Sequence, residues 1–232
     1  MFIRSAAFYD DFYSWKDYQA EAERVHQVVQ DRVPTAGTLL DVACGTGQHL
    51  KHLNNHYDVQ GLDMDPQLLA LARDRLPHTP LHEADMADFS LRTSFDVVTC
   101  LFSSIGYLTS LDRLRRAVRR MTEHVRPGGI LLIEPWFSPD QWQDGHIGAL
   151  FIDKQDVKAA RMNVARSEGR ISVLEFHYLV TTSQGVEYFT EEHRLYLFAE
   201  GEYRQALAEA GLQIDYDEEG LEGRGLYIGT KP

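Results

Sequence analysis

Three aspartates recur at intervals that suit one site. Asp41 lies inside an apolar run, 39–43, that ends in the loop Cys44-Gly45-Thr46-Gly47. Asp63 closes a second run in GLDMD, and Asp85 follows a third in EADMADF. The ends of successive parallel strands border the crevice in which open α/β sheets bind ligands. A nucleotide cofactor is therefore the chemistry to weigh. The dinucleotide fingerprint G-x-G-x-x-G seats a pyrophosphate on amide hydrogens at a helix start. Here Gly45-Thr46-Gly47-Gln48-His49-Leu50 lacks the third glycine, and Asp41 would repel phosphate. The same acid suits a cofactor with a cationic end. S-adenosylmethionine carries an ammonium and a sulfonium and no phosphate. Asp63 then falls at the ~20-residue spacing from which an acid binds both ribose hydroxyls, and Asp85 can accept from the adenine amino group. Any one of these acids alone reads as a cap or a solvated turn. The ordered set carries the argument.

Strands and helices must alternate to bring such acids together. Residues 17–33 predict a helix with Ala22, Val25, Val28, Val29 and Val33 near one face, broken by Pro34-Thr35-Ala36-Gly37. Residues 38–43 predict a buried strand, 48–57 a short helix and 59–62 a second strand. Asp65 can cap the next helix, and Pro66 suits its first turn, where no amide hydrogen is needed. Strands at 81–84, 95–101 and 130–133 and a helix at 111–125, stopped by Pro127-Gly128-Gly129, complete the pattern of a parallel sheet with helices on both faces. Beyond Trp136 the character changes. Strand-like runs such as ISVLEFHYLV and HRLYLF, separated by SEGR and TSQG, predict an antiparallel insertion over 137–198. A helix at 202–210 and two edge strands, LQIDYDEE and GLYIGT, return to the main sheet. The expected division is a cofactor-binding core of 1–136 and 199–232, with 137–198 forming the acceptor site.

Composition narrows the function. The 232 residues are 44% hydrophobic, enough for one α/β domain carrying an insertion. A formal charge of −12 disfavours nonspecific binding to nucleic acid or anionic membrane. No apolar run is long enough to span a bilayer, and no charged-then-apolar leader opens the sequence. Two cysteines, Cys44 and Cys100, are too few for a disulfide framework and suit a reducing compartment, so a cytoplasmic protein is expected. Arg113, Arg116 and Arg120 fall on one side of the 111–125 helix and read as a solvated face. His177 and His193 lie in strand-like runs, read as structural, and share no ligand spacing, so no metal is expected.

The segments LLDVACGTGQHL, GLDMD, EADMADF and FDVVTCLFSSIGYL resemble the successive motifs of class I S-adenosylmethionine-dependent methyltransferases over roughly the first 135 residues. FYSWKDYQAEA, LFSSIGYL, IEPWFSPDQWQDG, HRLYLF and GRGLYIG resemble, over nearly the whole chain, the N-methyltransferases that act on TDP-linked amino sugars. The resemblance implies a Rossmann-like sheet with the antiparallel insertion after its fifth strand. It also implies a nucleotide-linked amino sugar as acceptor and a dimethylamino sugar as product. It places Tyr13 and Tyr18 on a segment folded over the cofactor, although packing of the first helix explains both equally. Ala43, Gly45, Gly47, Met64, Met86, Leu101 and Phe102, beside the three acids, complete the implied cofactor site.

Methyl transfer to an amine needs a neutral nitrogen held in line, so positioning can supply much of the catalysis, worth up to ~7–11 kcal/mol. The segment Phe102-Ser103-Ser104-Ile105-Gly106-Tyr107 should face the transferred methyl. Tyr107 is the candidate for orienting the amine, by hydrogen bonding, since a phenol with pKa ~10 is a poor base near neutrality. The alternative for Tyr107 is a packing aromatic. Ser103, Ser104, Trp136 and Phe137 are candidates for the acceptor site, with core packing as the alternative for the two aromatics. Arg224, between Gly223 and Gly225, can hold a pyrophosphate by charge-assisted bonds or form a surface ion pair. Cys100 lies within a strand, which argues against covalent attack on a base. A non-nucleotide small-molecule acceptor, methylated on nitrogen or oxygen, stays open, as does a homodimer.

Overall fold

A computed structural model describes residues 4–232. Tyr9–Phe12 (α1) and Tyr18–Arg32 (α2) lead into Thr38–Val42 (β1). Then follow Gln48–Leu53 (α3), Asp58–Asp63 (β2), Pro66–Arg75 (α4), Leu81–Glu83 (β3), Phe95–Cys100 (β4), Leu111–Glu123 (α5) and Val125–Ile133 (β5). Four strands come next: Ile147–Asp153 (β6), Val157–Glu168 (β7), Ile171–Thr182 (β8) and Gly185–Tyr196 (β9). Glu200–Glu209 (α6), Gln213–Asp217 (β10) and Leu226–Thr230 (β11) close the chain.

Seven strands form one sheet in the order β10-β11-β5-β4-β1-β2-β3. The pairs β1–β2, β1–β4, β2–β3 and β4–β5 are parallel, whereas β11 runs antiparallel to β5 and β10 to β11. This is the expected Rossmann-like sheet with its closing hairpin. Strands covered on both faces are apolar almost throughout. Leu40, Val42, Val98 and Leu131 pack under α5 and α6, and Leu39, Val59, Val97 and Leu132 under α2 and α3. Strand order reverses between β1 and β4, which fixes the ligand crevice at their C-terminal ends. Local chemistry sets the helix starts: Asp65 accepts from the Gln67 and Leu68 amides at 2.9 and 3.3 Å, and Asp17 from Ala20 at 2.9 Å.

Some boundaries differ from expectation. β5 begins at Val125 rather than at 130 and contains Pro127, Gly128 and Gly129. Its pairing with β4 shifts register between Phe95 and Val97, and that irregularity accommodates a proline and two glycines inside a strand. The helix expected over 48–57 ends at Leu53, where Asn54 and Asn55 turn the chain. A 3-10 turn at Ser5–Phe8 and the four-residue α1 are too short to leave a helical period in the sequence.

The expected insertion is a separate antiparallel sheet in the order β6-β7-β8-β9. Its register separates two faces. Arg161, Tyr178 and Phe189 lie in one cross-strand row, Phe176 and Glu191 in the next, and Leu174 and His193 in a third, all turned toward the main sheet. Phe151, Ala160, Leu179 and Tyr188 form a row on the opposite face.

Candidate active site

A cavity of about 440 Å³ opens where the strand ends of the main sheet meet the inner face of the antiparallel sheet. Ala43, Gly45, Asp63, Met64, Met86 and Phe102 border it on one side; Trp136, Leu174, Phe176, His193 and Leu195 on the other. Tyr9 and Tyr13 of the N-terminal segment also line it. A side recess holds Asp41, Tyr18, Leu101 and Ser104.

Asp63 is 7% exposed, and each of its oxygens accepts one amide hydrogen: Oδ2 from Gly45 at 2.7 Å and Oδ1 from Asp65 at 2.8 Å. Burial raises its carboxyl above the usual range, while the Asp65 and Gly45 amides pull it down. A carboxylate oxygen has two acceptor sites, so both oxygens keep capacity for a diol. Gly45 holds φ +55°, and a Cβ there would meet nothing within 4 Å, so the loop presents bare backbone to the opening. Asp41 is buried and bonded by the Thr99 hydroxyl at 2.7 Å. Burial lifts its carboxyl to about 6, although nearby His49 and the Thr99 bond oppose the shift. A cation entering the recess would meet this under-neutralised acid. Ala43, Phe102 and Ser103 are three of four described non-glycine residues with positive φ. Two strand ends are thus strained where they border the cavity, a conformation that surrounding structure must impose. The donor set fits S-adenosylmethionine: acids for the ammonium and the ribose, apolar methionines beside them, and no phosphate cradle.

The N-terminal segment is tied across the glycine loop. Asp10 accepts from the Thr46 hydroxyl at 2.7 Å and is paired with Arg75, which also donates to the Thr46 carbonyl. Tyr13 packs edge-on against Phe102 at 5.2 Å, and Tyr18 packs against His49 at 5.0 Å. Tyr9, Asp10 and Arg75 are residues that sequence reasoning missed; the aromatic spacing of FYDDFY is the signal that marks the first.

Five expectations need correction. Gly47 does not line the cavity: at φ +76° it starts α3, and a Cβ there would press on Leu76 at 3.2 Å, so this glycine serves loop–helix packing. Asp85 is not turned into the cavity either. It pairs with Arg113 at 2.7 Å and accepts from the Ala87 amide. Burial opposes its charge, but these two partners hold its carboxyl below the usual range. Arg113 in turn borders the cavity rather than lying on a purely solvated face. Phe137 packs on Trp136 and Trp142, at 4.8 and 6.1 Å, outside the cavity lining. Arg224 does reach the cavity, but its Nη2 is shared by Glu222 at 2.6 Å and Glu134 at 3.2 Å. Fully buried Glu134 also accepts from the Phe102 amide at 2.6 Å. Arg224 is thus part of a chain of charges, continued by Lys16 between Glu222 and Glu21, that braces the loop after β4.

That loop carries the remaining candidates. The Ser103 hydroxyl donates to the Pro135 carbonyl at 2.7 Å, and Trp136 Nε1 donates to Ser172 Oγ at 2.9 Å, so both are fixed by neighbours. The Tyr107 ring is 37% exposed, its open side being the cavity it lines. Its hydroxyl meets His193 Nδ1 at 2.8 Å, and burial among other tyrosines pushes its acidity well away from neutrality. His193, read from the sequence as structural, therefore belongs to the site. Strand alternation placing Glu191, His193 and Leu195 on one face was the available signal.

Residues 39–129 match the methyltransferase-domain family. The chain is 41% identical, over 98% of both chains, to dTDP-3-amino-3,4,6-trideoxy-alpha-D-glucopyranose N,N-dimethyltransferase of Streptomyces venezuelae. The chain belongs to the family of dTDP-amino-sugar N,N-dimethyltransferases. Its structure superposes on the crystal structure of Streptomyces venezuelae DesVI with a TM-score of 0.94, at 39% identity over 99% of each chain. S-adenosylmethionine-bound CalS10, an amino pentose methyltransferase of Micromonospora echinaspora, gives 0.86 at 38% identity, over 94% of this chain and 92% of that one. Membership of the family makes this chain an enzyme with S-adenosylmethionine as its cofactor.

Proposed function

We propose that this enzyme transfers methyl groups to the amine of a dTDP-linked amino sugar. The observation that carries this reading is the cavity that joins Asp63, and through a side recess Asp41, to an aromatic wall from the other sheet. An amine on that wall lies next to the strand ends at which a sulfonium would sit. Bound S-adenosylmethionine supplies an electrophilic methyl group; the chain's own residues bind, orient and exclude water. Asp63 receives the ribose hydroxyls, with Met64 and Met86 along the nucleoside. Asp41 faces the ammonium. Tyr13, Tyr18, Ala43, Gly45, Leu101 and Phe102 close around these groups. Tyr107 orients the acceptor nitrogen, while Ser104 and Trp136 border the sugar. Residues 137–198 act as the acceptor-binding unit of a core made from 1–136 and 199–232. Glu134 and Glu222 compete with a diphosphate for Arg224, so its first role is to hold Phe102 in place. Holding the acceptor in near-attack geometry contributes up to ~7–11 kcal/mol, and no strong base is needed for the first transfer.

No helix of the described residues is long and apolar enough to cross a membrane, and both cysteines are free and buried. The free thiols suit a reducing, cytoplasmic setting. A second copy of the chain is the partner we propose for the outer face of β6–β9, where Ile147, Phe151, Val164 and Tyr188 are 58–76% exposed. Sedimentation of the wild type and of Tyr188→Asp checks this; a wild-type monomer overturns it. The acceptor is tested by incubating the enzyme with labelled S-adenosylmethionine and either a dTDP-amino-deoxyhexose or the same sugar without its nucleotide. Methylation of the nucleotide sugar alone is expected. Equal methylation of the bare sugar would favour a non-nucleotide acceptor.

A further inference from the structure

Tyr107 donates or accepts according to what lies behind it, and the structure defines that. His193 is 1% exposed, with Nδ1 2.8 Å from the Tyr107 hydroxyl and Nε2 3.9 Å from Glu191 Oε2. Glu191 is held by the Arg4 and Ser5 amides at 2.7 and 3.0 Å and by the Ser5 hydroxyl. Burial opposes the charge of Glu191, but His193 beside it and the bonds from Ser5 and Arg4 keep its carboxyl down at about 2. A fixed anion beside Nε2 favours the tautomer with hydrogen on that nitrogen. Nδ1 is then an acceptor, and the phenol must be its donor. The lone pairs of the Tyr107 oxygen are left for the cavity.

We infer that His193 makes Tyr107 an obligate acceptor toward the substrate amine and receives, through the phenol, the proton that the amine gives up. Before transfer, an amine N–H bonded to the phenol oxygen turns the nitrogen lone pair toward the methyl group. As the C–N bond forms, the electron pair of the broken C–S bond leaves with sulfur, and the nitrogen becomes an ammonium. One ammonium proton then moves to the phenol oxygen while the phenolic proton moves to Nδ1. The product is a neutral amine, and the imidazolium is balanced by Glu191. A neutral monomethylamine is what a second transfer requires. His193 is thus a positioning residue that acts through Tyr107, and the inference rests on the amino-sugar reading above.

The surroundings agree. Among the described residues, the charged and titratable groups around the relay are Glu191 on its own strand, Arg161 on β7, Tyr178 on β8, and Tyr9, Tyr13 and Asp63 across the cavity. Burial lowers the His193 pKa most, Glu191 opposes that shift, and Arg161 adds a smaller lowering, so the net shift is downward. The ring is therefore neutral, and able to take a proton, at neutral pH. Arg161 is 9% exposed, and no carboxylate among the described residues lies within ion-pair distance of it. Its partner is the Tyr13 hydroxyl at 3.0 Å, and its guanidinium lies 4.3 Å from the centre of the Phe176 ring. A buried cation beside the cavity disfavours an ammonium there and speeds its proton loss.

His193→Asn retains an acceptor near the Nδ1 position but cannot hold a proton; His193→Phe removes both. With a dTDP-amino sugar, His193→Asn is expected to slow the second methylation far more than the first. The second methylation should slow by roughly a hundredfold, the lower end of proton-transfer catalysis, and monomethylated product should accumulate. The acid limb of the wild-type pH–rate profile should disappear. His193→Phe should slow both methylations. In the enzyme without substrate, an NMR titration should find His193 below the usual histidine value and lower still in Glu191→Gln. Unchanged product ratios and pH profile in a folded His193→Asn enzyme would overturn the relay, as would a His193 titration indifferent to Glu191. If the wild type methylates no dTDP-amino sugar, the functional reading fails, and the NMR measurement still judges the relay separately.

Discussion

The two walls of the cavity are built on different plans. The cofactor wall consists of strand ends and loops, in which Asp41, Gly45, Asp63 and Phe102 follow apolar runs in chain order. The acceptor wall consists of strand interiors, in which Leu174, Phe176, His193 and Leu195 face inward only because alternate residues of β8 and β9 do. The first plan ties chemistry to short contiguous motifs. The second ties it to register, which a one-residue slip would invert. The bracing also differs. Backbone amides hold Asp63, whereas His193 of the acceptor wall is tied to Tyr107, a side chain distant in sequence. A change on one wall should therefore leave the other's binding function intact.

The largest effect is expected at Asp63. Asp63→Ala removes a charged acceptor for the ribose, at ~1.5–3 kcal/mol per bond, and releases the Gly45 and Asp65 amides. S-adenosylhomocysteine affinity should fall by roughly a hundredfold in calorimetry while dTDP binding is unchanged. A parallel loss of dTDP binding would break the separation of the walls. Tyr107→Phe comes next. It should lower kcat by roughly ten- to a hundredfold, ~1.4–2.7 kcal/mol, with cofactor affinity intact. Rapid-quench kinetics measure it, and an unchanged rate would make Tyr107 a packing aromatic.

Asp41 gives a third test. Burial raises its folded pKa to about 6, so its contribution to stability is present at low pH and is lost as pH rises through that value. A ligand ammonium reverses the preference because it needs the carboxylate. S-adenosylhomocysteine should bind roughly tenfold tighter at one pH unit above this pKa than at one unit below. Asp41→Asn should bind it weakly at every pH. A wild-type affinity flat across this range would remove Asp41 from the ammonium site. The smallest kinetic effect is expected at Arg224, which braces the loop after β4. Arg224→Gln leaves Glu134 and Glu222 without their cation, so it should destabilise the protein by ~3–5 kcal/mol. The acceptor KM should rise only a few-fold. A rise of a hundredfold at unchanged melting temperature would restore direct contact with a diphosphate.

The sequence alone determined the alternation of strands and helices, the sheet with its antiparallel insertion, and the acids that favour S-adenosylmethionine. Each of these follows from local cues: apolar runs, the Asp65–Pro66 helix start, and glycine where φ must be positive. Tertiary structure decided which polar groups are spent and which remain available. Asp85 and Asp63 look alike in sequence, yet Arg113 neutralises one while backbone amides hold the other at the cavity. Arg224 reads as a phosphate ligand until Glu134, 90 residues away, is found beside it. His193 reads as a strand filler until the β8–β9 register turns it toward Tyr107, 86 residues away. Hydrophobic period is written into neighbouring residues and survives in the one-dimensional chain. Charge pairing between distant residues is set by packing in three dimensions, and no local pattern records it.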